Sequence, residues 1–92
     1  MMTAQERLKK RMAELNHSAN KALGQNFLVS DHVITKIVEA TEVCLAQLEK
    51  KSLIEIGPGL GAITDLLTKL ECQYQAIELD FSLYNYWQNA GI

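Results

Sequence analysis

The short apolar run Leu53-Ile54-Glu55-Ile56 ends in Gly57-Pro58-Gly59-Leu60-Gly61, and an acid follows at Glu78. Three glycines spaced by two, placed after a strand-like run, constrain this chain more than any other feature. They are what a parallel strand needs to turn into a helix around a nucleoside-bearing ligand. Gly57 lets the strand turn sharply, Gly59 removes a side chain where backbone must approach the ligand, and Gly61 lets the following helix pack against the strand. The start of that helix offers free N–H groups and a positive dipole end. Glu78 lies 21 residues after Gly57, at the tip of the next predicted strand. A carboxylate there can accept hydrogen bonds from both hydroxyls of a ribose.

Two ligand classes fit this frame. One is a dinucleotide such as NAD, whose Gly-x-Gly-x-x-Gly/Ala fingerprint is met loosely by Gly57, Gly59 and Ala62. The other is S-adenosyl-L-methionine, which carries a ribose and an adenine but no pyrophosphate. Glu55 bears on the choice, because a charged residue inside a buried strand is costly without a partner. It either organises the loop for a cationic, amino-acid-like ligand or makes a local salt bridge, and the residues alone leave both open.

The rest of the chain reads as alternating elements. Residues 4–15 pattern as a basic amphipathic helix with Leu8, Met12 and Leu15 at helical spacing. Asn16 to Asn20 is polar and breaks it, and Gly24 marks a turn. From Asp31 a second helix runs toward Lys50 and Lys51. Val33, Ile34, Ile37, Val38, Thr41, Cys44, Leu45 and Leu48 line one side of it. Leu53–Ile56 and Tyr74–Leu79 are the predicted strands, Leu60–Leu70 the helix between them, and Ser82–Asn89 a final helix. Helix, strand, helix, strand argues an α/β fold with a parallel sheet. Two strands are few for such a sheet, whose faces and edges need covering. The chain is therefore expected to be the first part of a larger domain, truncated after the second strand.

Composition narrows the class. Hydrophobic content of 48% and charge of 22% suit a globular chain. No apolar run approaches the ~20 residues that span a bilayer. The N-terminus has no apolar signal core, so a cytoplasmic protein is expected. Cys44 and Cys72 have no metal-like spacing, and Cys44 is expected as a buried, reduced thiol. Charge is uneven: Arg7, Lys9, Lys10, Arg11 and Lys21 face only Glu6 and Glu14 in residues 1–30, and the remainder is acidic. Residues 1–20 thus read as a basic arm and 21–92 as the body. The arm is either a polyanion contact or a solvated helix face.

Lys21-Ala22-Leu23-Gly24-Gln25-Asn26-Phe27-Leu28, then Glu55-Ile56-Gly57-Pro58-Gly59-Leu60-Gly61-Ala62-Ile63-Thr64, then Ala76-Ile77-Glu78-Leu79-Asp80 together resemble the ribosomal RNA adenine dimethyltransferases, in order and in spacing. The closest resemblance is to the small-subunit branch, which dimethylates two adjacent adenines in the 3′-terminal hairpin of 16S rRNA. The resemblance implies a Rossmann-like, S-adenosyl-L-methionine-dependent methyltransferase domain. It implies that Asn26 and the backbone at Leu28 meet the methionine end of the cofactor, with Gln25 at its border. Gly57 and Gly59 would lie under the ligand, and Glu78 would hold the ribose. Arg7, Lys9, Lys10, Arg11 and Lys21 would approach RNA on the small ribosomal subunit. No metal, membrane contact or oligomer is implied. The family's amine acceptors come from an Asn-Leu-Pro-Tyr/Phe element, and the only proline here is Pro58. These 92 residues alone are therefore expected to lack methyl transfer. Phe81 to Trp87 departs from the charged continuation usual in the family. Tyr84, Tyr86 and Trp87 read as helix core, as a diverged end, or more remotely as a base-stacking surface.

Overall fold

The computed structural model describes residues 2–15 and 30–92. Its elements run α1 (Ala4–Leu15), α2 (Asp31–Ala46), β1 (Ser52–Ile56), α3 (Thr64–Leu67), β2 (Gln73–Ile77) and α4 (Phe81–Asn89). β1 and β2 pair in parallel, with Leu53 opposite Tyr74 and Glu55 opposite Ala76. The expected α/β arrangement is present: two parallel strands joined through a helical crossover.

Helix α1 starts on a reciprocal cap. Thr3 Oγ1 accepts the Glu6 N–H at 3.2 Å, and Glu6 Oε1 accepts the Thr3 N–H at 3.0 Å, which is a capping box. The Asp31 carboxylate accepts the Ala4 N–H at 3.1 Å, tying the start of α1 to the start of α2. Ser30 caps α2 in turn by accepting from the Val33 N–H at 3.3 Å. Ala4 and Leu8 are buried, with Met12 and Leu15 packed beside them. The basic segment therefore contributes one face to the core, which it shares with Ile34, Leu60, Ala62 and Leu83.

Several expectations need correction. In α2 the apolar side divides into two rows. Ile34 and Leu45 are buried and Val38 and Thr41 half-buried, while Val33, Ile37, Cys44 and Leu48 are exposed. The two rows differ by one residue, about 100° of helix, and only one meets the core. Cys44 falls on the open row, so the buried thiol expected from periodicity is an exposed one. α2 stops at Ala46 because Gln47 and Leu48 bond back to Cys44 and Leu45, the tightened pattern of a helix end. The third helix is four residues long, against the eleven expected between Leu60 and Leu70. Gly61 adopts φ +87°, outside helical geometry, and delays its start. So short a helix has little dipole, and the expected helix-end electrostatics do not carry the site. β2 ends at Ile77 rather than Leu79, leaving Glu78–Asp80 as a connection.

Both strands alternate. Leu53, Glu55, Tyr74 and Ala76 face the covered side, and Ile54, Ile56 and Ile77 face outward and exposed. α4 is capped by Asp80, whose Oδ1 accepts the Leu83 N–H at 3.1 Å. Leu83 and Trp87, at helical spacing, are buried.

Candidate functional site

The glycine loop joins the C-terminal end of β1 to α3, and Glu78 stands at the C-terminal end of β2 beside it. The Gly57 N–H donates to the Ile77 carbonyl at 2.7 Å, extending the ladder one step past the strands. The backbone then takes a left-handed conformation at Gly57, with φ +71°. A methyl group built on Gly57 would meet nothing within 4 Å, so the backbone there lies open to approach.

Glu78 completes this edge. Its Oε1 accepts the Gly59 N–H at 2.9 Å and its Oε2 accepts the Asp80 N–H at 3.0 Å. An ionised carboxylate has about four lone-pair sites. Two are used here to fix the side chain against the loop, leaving two acceptor positions. A small pocket of about 40 Å³ adjoins it, lined by Pro58, Ala76, Glu78, Tyr84 and Trp87.

Glu55 is partnered by hydroxyls. Its Oε1 accepts from Thr64 Oγ1 at 2.6 Å and also from the Tyr74 hydroxyl. Thr64 opens α3 and is fully buried, and Tyr74 lies on β2. Both partners are hydroxyls, so among the described residues a local salt bridge is not what holds Glu55. The carboxylate holds the residue after the loop and the neighbouring strand in one network. Burial, reinforced by the Glu55 carboxylate, pushes the Tyr74 phenol well above its ordinary value of 10.0.

The far side of the loop is held by side chains from α1 and α4. Arg7 and Arg11 both pair with Asp65, Arg11 with two nitrogens at 3.0 and 3.2 Å. Arg11 Nη1 also donates to the Leu60 carbonyl, and Arg7 donates to the carbonyls of Gly61 and Ala62 at 3.4 and 3.3 Å. The Trp87 indole N–H donates to the Gly59 carbonyl at 2.9 Å. The Arg11 guanidinium lies 5.4 Å from the centre of the Tyr86 ring and 5.1 Å from that of Trp87. The two rings meet edge to face at 4.9 Å. A methyl group on Gly61 would lie 2.7 Å from Trp87 Cη2. Gly61 thus gives room to Trp87 and Arg11, where the sequence suggested helix-on-strand packing.

Of the expected site residues, Gly57, Gly59 and Glu78 come together at one edge. Asn26, Gln25, Leu28 and Lys21 lie outside the described residues. Lys9 and Lys10 are exposed on α1, while Arg7 and Arg11 are engaged with Asp65 and the loop. Behind the loop runs a groove of about 460 Å³ lined by Arg7, Lys10, Arg11, Glu14, Lys69 and Tyr86 among others. Sequence reading missed the structural use of Arg11 and Trp87, because nothing in their spacing marks a contact 76 residues apart in the chain. Among the described residues no group of His, Cys, Asp and Glu could hold a metal ion, and no helix is long and apolar enough to cross a membrane.

Comparison with known proteins gives one consistent answer. The family model for ribosomal RNA adenine dimethylase matches residues 16–90. A Ribosomal RNA small subunit methyltransferase A from Bdellovibrio bacteriovorus is 41% identical over 92 residues, all of this chain and 32% of that protein. Proteins with the same name from Cupriavidus pinatubonensis and Mycoplasmopsis pulmonis are 49% and 43% identical over 67 residues, 73% of this chain. They are covered to 23% and 25% of their length. The chain thus spans a third or less of the curated relatives it matches.

Proposed function

This chain belongs to the ribosomal RNA adenine dimethylase family, and we propose that its glycine loop and Glu78 form part of an S-adenosyl-L-methionine site serving rRNA adenine dimethylation. One observation carries the reading. Glu78 is fixed at the carboxyl edge of a parallel pair, next to a loop whose Gly57 is open, with two acceptor positions left. That matches what a ribose diol requires, and ligands of open parallel sheets bind at this edge.

The residues present fit the cofactor. Glu78 would accept from the two ribose hydroxyls, and Gly57 would let the ligand approach backbone closely. The segment holding Gln25, Asn26 and Leu28 would meet the methionine end. When bound, S-adenosyl-L-methionine supplies an electrophilic methyl group to the exocyclic amine of adenine. The target base has to leave its stack to be reached. Glu55, Thr64 and Tyr74 hold the loop in register while this happens.

On the RNA side, Lys9 and Lys10 are exposed on α1, and Lys10 shares the groove behind the loop with Lys69. They would meet phosphates, while Arg7 and Arg11 are occupied with Asp65. We assign to the small subunit, and to two adjacent adenines of the 16S 3′-terminal hairpin, the role of substrate. The setting is cytoplasmic and the working form monomeric.

Competition calorimetry tests the cofactor assignment. S-adenosylhomocysteine should bind and NAD should fail to displace it, and Glu78→Ala should weaken binding at least tenfold. Preference for NAD would overturn the reading. The 92-residue chain alone should give no methyl transfer to unmethylated small subunits, and measurable transfer would contradict that part of it.

A further inference from the structure

A glycine loop is useful to a ligand only if its peptide planes are set before the ligand arrives. Here four successive loop carbonyls, those of Gly59, Leu60, Gly61 and Ala62, each accept a side-chain N–H from α1 or α4. The donors to Gly59 and Leu60, Trp87 and Arg11, sit 28 and 49 residues from their acceptors. A carbonyl and the N–H of the next residue point in opposite directions across a planar peptide. Drawing these carbonyls toward α1 and α4 therefore turns the following N–H groups away from those helices.

The two donors are themselves fixed. Arg11 is held by Asp65, by the Tyr86 hydroxyl at 3.0 Å and by stacking on the Tyr86 and Trp87 rings. Trp87 is buried and packs where a Gly61 side chain would otherwise be. A planar guanidinium fork can serve a carboxylate and a carbonyl at once, which a lysine ammonium on a flexible stem does less well.

We propose that Arg11 and Trp87 are positioning residues that clamp the glycine loop from behind in its ligand-ready shape. Both act through the backbone of Gly59 to Gly61. Arg11 then serves the cofactor side of the protein, and an RNA role for it is secondary. The value of the clamp to catalysis rests on the loop being the cofactor cradle, whereas its effect on the loop does not.

Amide hydrogen exchange of the whole chain, followed residue by residue by NMR, tests it. The Gly59, Gly61 and Asp65 amides, which donate to Glu78, Pro58 and Gly61, report the loop. The Leu53 and Glu55 amides, in phase with the Gly57 amide that bonds to the Ile77 carbonyl, report the sheet. Trp87→Phe keeps a ring but deletes the donor, and Arg11→Gln deletes the ion pair. Each should speed exchange at the loop amides about tenfold or more relative to the sheet amides. Arg11→Lys, which keeps the charge, should fall between wild type and Arg11→Gln. Acceleration of loop and sheet in equal proportion would mean plain destabilisation and would overturn the proposal, as would no change in Trp87→Phe. If Arg11→Gln fails to fold, Trp87→Phe alone decides the matter. Failure of the cofactor assignment shows instead as no S-adenosylhomocysteine binding by wild type, and leaves the exchange result standing.

Discussion

Replacing Gly61 by alanine should be far more damaging than replacing Gly57, although both have positive φ. At Gly57, φ is +71° and an added methyl meets nothing within 4 Å. Its cost is backbone strain alone, about 1–2 kcal/mol. At Gly61, φ is +87° and the methyl would lie 2.7 and 2.9 Å from Trp87 Cη2 and Cζ2 and closer still to the Arg11 guanidinium. Arg11 can swing aside at the expense of its hydrogen bonds, but the buried indole has little room to move. Overpacking of this kind costs about 1–3 kcal/mol, so Gly61→Ala should total about 2–5 kcal/mol. Urea denaturation of both variants, with midpoints and slopes fitted together, gives the difference. In a Trp87→Phe background the smaller ring relieves the crowding, so the cost of Gly61→Ala should fall by about 1 kcal/mol. The packing argument is refuted if Gly61→Ala costs no more than Gly57→Ala, or if the two sites show no coupling.

Three further outcomes are expected. The Tyr74 phenol is raised in the folded chain, so the fold binds its proton more tightly than the unfolded chain does. That stabilisation is complete below the ordinary value of 10.0 and is lost as pH rises above it, so wild type should lose stability faster there than Tyr74→Phe in alkaline denaturation series. Changing Lys9 and Lys10 to alanine should weaken binding of single-stranded RNA and flatten the plot of log affinity against log salt by about 0.7 for each phosphate no longer neutralised, read by fluorescence anisotropy. Cys44, exposed on the open row of α2, should react with a thiol reagent under native conditions, and protection in the folded chain would contradict its placement.

The parts of this structure legible in the sequence are those set by local rules. The amphipathic face of α1 and the two strands follow from spacing, and the glycine turn with its acid follows from what a parallel sheet edge requires. The resemblance to the dimethyltransferases was legible in three ordered motifs, and the family match bears it out. What escaped was non-local. Periodicity marks the apolar residues of α2 but not which of two adjacent rows the core will meet, hence the error at Cys44. Arg11 looked like one more charge on a basic arm, since its partners Leu60, Asp65 and Tyr86 are brought to it only by the fold. Trp87 was open to a helix-core reading, which its burial bears out, but its bond to the Gly59 carbonyl was hidden for the same reason. Glu55 was visible as an anomaly, and its resolution needed Tyr74, which reaches it only once β1 and β2 have paired in register.

The central claim is that the Gly57 edge and Glu78 receive the nucleoside of S-adenosyl-L-methionine. Amide chemical shifts of the labelled chain, followed during titration with S-adenosylhomocysteine, test it most directly, because they register weak binding and say where it occurs. The account predicts saturable shifts centred on Gly57, Gly59, Glu78 and Leu79, absent in Glu78→Ala, with the Ile34 region of α2 unmoved. Shifts centred elsewhere, or a response to NAD in place of S-adenosylhomocysteine, would contradict it.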